Sequence, residues 1–297
     1  MLRPLTNDLQ DLYIVAGTPF IYISSSNTLV MSDLHLGFEE AASRGLFYSL
    51  RRGGGYYAVF VPKIQLRRTI SMLDHPLNKL KIERVVINGD LKHAFDRLLR
   101  QEKEEVIELI KYLREKGVID VIVIRGNHDN FIKAVLGKLD VKIVSAISIR
   151  SGGKRVIITH GHEKYSIEDH DIVIIGHEHP SLRCFDIYKF PSFLKIPFND
   201  GKTIIVMPAT SPYHPGVSVS TTVAEYLSPY IKEHGDLENM SIIIWIDLGE
   251  ISKESVDYMI STPLQEYVRI DRFIVNSREV AIIEFKNYVI AQLICQV

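Results

Sequence analysis

The sequence predicts a layered α/β fold, and three observations lead there. Short β-branched runs recur along the chain, a segment with helical spacing separates two of them, and polar residues of the metal-ligand kind follow five of the runs. Thr28-Leu29-Val30-Met31 reads as the first buried strand and leads into Ser32-Asp33-Leu34-His35-Leu36-Gly37. Val85-Val86-Ile87 follows, ending in Asn88-Gly89-Asp90-Leu91-Lys92-His93. From Asp96 to Lys116, the residues Leu98, Leu99, Val106, Leu109, Ile110 and Leu113 fall near helical spacing, charges occupy the other face, and Gly117 supplies a C-terminal stop. Three more strands run into ligand-type residues. Val121 to Ile124 precedes Arg125-Gly126-Asn127-His128-Asp129, Val156 to Ile158 precedes Thr159-His160-Gly161-His162, and Ile172 to Ile175 precedes Gly176-His177-Glu178-His179. Beyond residue 180, Pro191, Pro197, Pro208, Pro212 and Pro215 punctuate loops between further strands at Thr203 to Val206 and Ile242 to Ile246.

Composition narrows the function classes. With 297 residues, 46% of them hydrophobic and 24% charged, the chain can build a sizeable core and is not a disordered tail. The formal net charge of -1 supplies no global basic field, so any nucleic-acid contact must rest on a local patch. Cys184 and Cys295 lack CxxC spacing and imply neither a disulfide framework nor a sulfur-ligated zinc site, which fits a reducing compartment. The opening Met1-Leu2-Arg3-Pro4-Leu5-Thr6-Asn7-Asp8 turns polar before an apolar signal region forms. Val118 to Ile124 and Ile242 to Ile246 are far shorter than the roughly 20 residues a membrane helix needs. A soluble cytoplasmic protein without a membrane partner is expected.

The strand-end residues carry the chemistry. The carboxyl edge of an open α/β sheet is where such folds place their sites. Imidazole and carboxylate together suit manganese, iron, zinc or nickel. At an extended strand end, residues i and i+2 point the same way, so Asp33 and His35 can grip one ion together, and His177 and His179 share that spacing. Asp90 on its Gly-Asp turn can bridge two ions, which clamp a phosphoryl oxygen when about 3.5–4 Å apart. A lone GD or GNHD is often a plain turn, because Asn, Asp and Gly favour turns anyway. Nine of the eleven histidines, however, fall between residues 35 and 179, which sets this chain apart from scattered turn residues.

The ordered set DLHLG, NGDLKH, RGNHD, THGH and GHEH resembles the calcineurin-like metallophosphoesterase superfamily, in particular its prokaryotic branch related to double-strand-break repair nucleases. The resemblance covers residues 31–179. It implies a four-layer αββα sandwich of two mixed β-sheets flanked by helices. It also implies one metallophosphoesterase domain over residues 1–297, with a metal-site core at 28–216 and the elements of 217–297 completing the sandwich. Carried onto this chain, Asp33, His35, Asp90 and His179 hold one divalent ion, and Asp90, Asn127, His160 and His177 hold a second. Manganese is the first expectation, with nickel, iron, zinc and cobalt as alternatives. His128 matches the family's catalytic histidine, His93 is expected to face the scissile phosphate, and Asp129 to orient His128. The implied activity is hydrolysis of phosphodiester bonds, as in a nuclease acting on DNA or RNA, through a metal-activated hydroxide. A homodimer is a common assembly among such relatives.

Several residues have a plainer reading beside the functional one. His162 shares the direction of His160, and the family uses the first of the pair. His214, in Ser211-Pro212-Tyr213-His214-Pro215-Gly216, either overhangs the site as a substrate contact or marks an ordinary turn. Ala41 to Arg68 contains no acidic residue; its Arg51, Arg52, Tyr56 and Tyr57 suit phosphates and unstacked bases, or form a glycine-rich surface loop or an oligomer contact. Lys103, Glu104 and Glu105 read as a solvated helix face. Two other functions use the same residues or fold: a phosphomonoesterase acting on nucleotides or phosphoproteins, and a non-catalytic interaction scaffold. The complete ligand set speaks against the scaffold.

Overall fold

A computed structural model describes residues 1–6, 9–44, 61–184, 188–198, 200–249 and 266–295. Seven strands form the first sheet in sequence order: β1 (Leu2–Thr6), β2 (Leu9–Val15), β3 (Ile21–Ile23), β4 (Thr28–Met31), β5 (Arg84–Asn88), β6 (Asp120–Ile124) and β7 (Lys142–Val144). β1 to β4 pair antiparallel, whereas β4 to β7 are parallel. Parallel neighbours need crossovers, and helices α1 (Gln65–Lys79), α2 (Arg100–Glu115) and α3 (Lys133–Lys138) lie in them.

The second sheet contains β8 (Ala146–Ser151), β9 (Lys154–Thr159), β10 (Ile172–Ile175), β11 (Pro180–Cys184), β12 (Tyr188–Pro197), β13 (Thr203–Val206), β14 (Val217–Ser218), β15 (Ser241–Asp247), β16 (Val268–Val275) and β17 (Arg278–Phe285). Its spatial order is β16-β17-β15-β12-β13-β10-β9-β8, with β11 pairing to β12 and β14. β9, β10 and β13 run parallel at its centre. Helices α4 (Pro229–His234) and α5 (Tyr288–Cys295) follow β14 and β17 in the chain.

Alternation along the strands sorts the core into layers. Val30, Val86, Ile122 and Ile124 of the first sheet meet Val156, Ile158, Ile172, Ile174 and Ile205 of the second between the sheets. The opposite faces, with Leu29, Val85 and Val123, pack on Leu73 of α1 and Val106, Leu109 and Leu113 of α2. On the far side, Val173, Ile175, Ile204 and Ile242 pack on Tyr230 and Ile231 of α4 and on Ala291 and Ile294 of α5. The result is the four-layer arrangement that the resemblance implied. Each fully buried branched side chain contributes about 1.5–3 kcal/mol relative to exposure.

Three local expectations need correction. The helix expected from Asp96 begins at Arg100, because the buried Glu102 carboxylate accepts the backbone N–H groups of Leu99 and Ala94 and so terminates the preceding turn. Its other end agrees: Gly117 has φ +89°, donates to the Arg114 carbonyl, and Val118 donates to the Leu113 carbonyl, the paired bonds of a Schellman stop. Glu105 is not part of a solvated face: it is buried, and its carboxylate accepts the Gly37 N–H at 2.7 Å. Cys184 and Cys295 form a disulfide across 111 residues, although their spacing implied no disulfide framework. The fold creates that proximity by laying α5 against β11, which local spacing cannot show, and the inference of a reducing compartment loses its support. Among the described residues, no helix is long and apolar enough to cross a membrane.

Candidate metal centre

The carboxyl ends of β4, β5 and β6 in one sheet and of β9 and β10 in the other converge on one place. Adjacent loops are stitched by backbone bonds: Asp33 N–H to the Gly89 carbonyl (3.1 Å), His35 N–H to the Asp90 carbonyl (2.8 Å), and Gly176 N–H to the His160 carbonyl (3.0 Å). Thr210 and Ser211, after β13, donate to the carbonyls of Ser32 and Asp33 and so tie the second sheet to the first. The strands have ended before the ligand-type residues begin. Asp33, His35, Asp90, His177 and His179 all have left-handed backbone, with φ of 54°, 49°, 46°, 68° and 45°. This uncommon backbone, and not an extended strand end, brings Asp33 and His35 into one cluster, whereas His177 and His179 are turned into different clusters despite their i, i+2 spacing. Such strain clusters where surrounding structure imposes it for a site. Gly89, at φ +82°, leaves space that a Cβ would take from the His160 ring.

Two clusters of converging donor atoms result, sharing one carboxylate. Asp33, His35, Asp90 and His179 place a ligand atom each within 4.8 Å of one another, and so do Asp90, His160 and His177. In the first, His179 Nε2 lies 3.0 Å from Asp33 Oδ1, and His35 Nε2 lies 3.5 Å from His179 Nε2 and 3.7 Å from Asp90 Oδ2. In the second, His160 Nε2 lies 3.5 Å from Asp90 Oδ2 and 3.3 Å from Asn127 Oδ1, which brings Asn127 into the same group. Asn88 fixes the His160 tautomer: a carbonyl only accepts, so Nδ1, 3.0 Å from it, carries the proton and Nε2 is left for the centre.

Charges respond to this crowding. Burial opposes ionisation of Asp33, yet the imidazoles of His179 and His160 outweigh it and hold the carboxyl well below its usual range. Asp90 is buried too and is likewise held low by His160 and His35. Burial works against protonation of His160, but its bond to Asp90 and the Asp33 charge raise it to about 9. His179 is raised, against its burial, by Asp33. Burial lowers His177 to about 4, with His160 adding repulsion. The chemistry of the donor set fits divalent cations: two buried carboxylates and several imidazole nitrogens converge on shared points.

A third group stands alongside. His35, His93 and His128 have ring nitrogens within 4.8 Å of one another. His128 donates its backbone N–H to Asp90 Oδ1 (2.9 Å), and its Nδ1 is bonded to the His93 carbonyl, so Nε2 is its free nitrogen. Burial, reinforced by His128, lowers His93 to about 4. His214 belongs to the site and not to an ordinary turn: its ring stacks on His35 with centroids 4.1 Å apart, and Ser211 Oγ lies 2.9 Å from its Nδ1. Asp129 does not orient His128. Its carboxylate accepts the N–H groups of Gly126, Leu91 and Lys92, bracing the two loops, and burial raises it to about 6. The His93 carbonyl holds the His128 ring instead. Arg51, Arg52, Tyr56 and Tyr57 lie outside the described residues.

Sequence reasoning missed the supports beneath the first loop. Glu39 accepts the N–H groups of Ile64 and Gln65 (both 2.9 Å) at the start of α1, and Gln101 joins it to Glu105. Gln65 in turn donates to the Leu34 carbonyl and to Ser211 Oγ. Only a carboxylate lying just ahead of a helix start hints at such a cap, and here 25 residues separate the two.

A profile of the calcineurin-like phosphoesterase family matches residues 26–228. The chain belongs to that family. Its members are dimetal-dependent, and this chain is a hydrolase acting on phosphoester bonds. Among solved structures, a nuclease of Pseudomonas putida, MPE, is similar with a TM-score of 0.55 and 19% identity, covering 82% of this chain and 96% of that one. A protein of unknown function from Aquifex aeolicus, AQ665, aligns with a TM-score of 0.32 and 18% identity over 51% of this chain and 78% of its own. No curated protein matches the chain.

Proposed function

We propose that this phosphoesterase is a phosphodiesterase, in its sharpest form a nuclease, built as one domain over residues 1–297. The observation that carries the reading is the pair of ligand clusters joined at Asp90. Asp33, His35, Asp90 and His179 would hold one divalent ion, and Asp90, Asn127, His160 and His177 the other, with manganese the first candidate. Bound there, two such ions supply Lewis acidity toward a phosphoryl oxygen and make water a better nucleophile near neutral pH.

The chain's own groups do the rest. His128, with its Nδ1 proton engaged by the His93 carbonyl, presents Nε2 to the leaving oxygen, and in its imidazolium form, with a second proton on Nε2, would give that proton to the departing oxygen. His93 and His214 wall the same space with largely neutral imidazoles, lowered to about 4 by burial. The diester reading is favoured over the monoester one by the fate of Lys92. The lysine of the NGDLKH motif is buried and its ammonium is engaged by the carbonyls of Arg97 (2.9 Å) and Ala94, and so is not held ready as a clamp for a phosphate dianion. The similar Pseudomonas putida protein is a nuclease, in keeping with this reading.

The test uses metal-stripped protein with manganese added back, against bis(4-nitrophenyl) phosphate and 4-nitrophenyl phosphate, with Asp90→Ala as control. Metal-dependent turnover of the diester, lost in the variant, is expected. Preference for the monoester would replace the reading with a phosphatase, and no turnover of either by folded protein would favour the scaffold.

A further inference from the structure

We propose that the cavity beside His128, between the turn after β6 and the strand β7, is a subsite for one nucleotide of single-stranded nucleic acid. Its base would stack on Phe131, and the adjoining phosphate would face Arg125 and Lys133. The inference rests on the diesterase reading and names its substrate class.

The cavity measures about 330 Å³ and is lined by Arg125, Asn130, Phe131, Lys133, Val144 and Ser145, among others. That size lies at the small end of ligand pockets and suits one nucleoside. Phe131 is 62% exposed and has φ +68°. A large aromatic residue in left-handed backbone is an outlier, and an exposed ring gives folding little in return. Phe95, 57% exposed, stands edge-on to the His128 ring with centroids 5.7 Å apart. Asn130 links these groups: its Nδ2 donates to the carbonyls of Phe95 (3.1 Å) and Asn127 (3.2 Å), and its Oδ1 accepts from Arg125 Nη2 (3.1 Å). Arg125 and the Phe95 backbone are thereby tied to the turn that carries Asn127 and His128, and Phe131 follows Asn130 in the chain.

Charge in the cavity favours an anion. Asp129 also lines it, but its oxygens are engaged by the amides of Gly126, Leu91 and Lys92. Arg125 and Lys133 are exposed, and the Arg125 charge reaches the neighbouring Glu163 and His162 without a bond to either among the described contacts. Bases in a duplex are already stacked and paired, so an exposed ring and a nucleoside-sized cavity are of use to an unstacked base.

The test measures fluorescence anisotropy of a labelled, phosphorothioate-linked deoxythymidine hexamer with manganese-loaded protein, beside a uridine hexamer and a DNA duplex. Phe131→Ala is expected to weaken hexamer binding about tenfold, and Phe131→Trp to restore it. Replacing both Arg125 and Lys133 by Ala should reduce the slope of log affinity against log salt by about 1.4, two phosphate contacts to a single strand. Equal losses on both hexamers fit recognition of the nucleotide unit in either acid, and a loss on one alone names that acid as the ligand. Hexamer binding by Phe131→Ala within about twofold of wild type, or an equal loss on the duplex, would overturn the subsite. Wild-type turnover of bis(4-nitrophenyl) phosphate is followed in parallel. Turnover without hexamer binding removes the subsite and keeps the diesterase reading, whereas no turnover removes both.

Discussion

The two ligand clusters share Asp90 yet orient their imidazoles by different means. In the cluster of Asp90, Asn127, His160 and His177, the His160 ring is fixed by a hydrogen bond from Nδ1 to the Asn88 carbonyl. In the cluster of Asp33, His35, Asp90 and His179, His35 Nδ1 has no hydrogen-bond partner among the described residues, and the ring stacks on His214. A hydrogen bond sets both tautomer and ring plane, whereas a stack sets the plane alone. The first cluster thus depends on a loop of the second sheet, held by Ser211 N–H to the Asp33 carbonyl (3.2 Å) and by Gln65 Nε2 to Ser211 Oγ (3.0 Å). The lesson is that both clusters are completed by contacts between distant segments, one through a hydrogen bond to strand-end backbone and the other through a ring stack from a loop.

The largest expected effect lies beside both clusters. His128→Ala should lower kcat on an aryl diester about 10³-fold while both ions stay bound, as counted by elemental analysis. Loss of an ion would move His128 into the ligand set and erase its separation from the clusters. Next comes the asymmetry itself, read by calorimetric manganese titration. His160→Ala removes an anchored ligand and should weaken one ion about 100-fold or more, whereas His214→Ala should weaken the other about tenfold. Equal weakening of both ions by His214→Ala would break the distinction drawn here.

The smallest effect concerns charges balanced far from the centre. Burial raises the cost of ionising Glu284, but Arg3 and Lys195 outweigh it and hold the carboxyl below its ordinary 4.5. Arg3 is buried and bridges β1 to Asp271 and Glu284 on β16 and β17, and Lys195 Nζ reaches Glu284 at 2.7 Å. Because the folded value is depressed, this stabilisation is complete above about pH 4.5 and is lost as pH falls through the folded value. Glu284→Gln should reduce stability by about 1–2 kcal/mol at pH 7 and flatten the acid side of a Tm-against-pH curve. An unchanged acid slope would contradict that assignment. Metal affinity should follow His160 and His214, not this pair.

What could be read in advance follows from which forces are local. Thr28 to Met31, Ile172 to Ile175 and Thr203 to Val206 coincide with β4, β10 and β13, because a short apolar run buried on both faces states its own limits. The strand-end motifs were legible for the same reason. The hairpin of β16 and β17 was not: its two-residue turn is Asn276-Ser277, both at positive φ, instead of the more familiar Asn-Gly. Left-handed backbone at Asp33, His35, His177 and His179 was invisible, since none is glycine. His214 on His35, the Glu39 cap and the Cys184–Cys295 bridge are all tertiary contacts between distant segments, which no spacing rule reports. Asp129 misled because proximity in sequence to His128 stood in for a bond that its carboxylate makes elsewhere.

The central claim is that two ions share Asp90, and counting ions tests it most directly. Manganese per chain is measured by elemental analysis after desalting, for wild type and for Asp90→Ala with its fold verified by circular dichroism. The account predicts two ions for wild type and fewer than one for the variant, because the shared carboxylate serves both. A wild-type protein that holds a single ion, or an Asp90→Ala variant that keeps one of two at undiminished affinity, would contradict it.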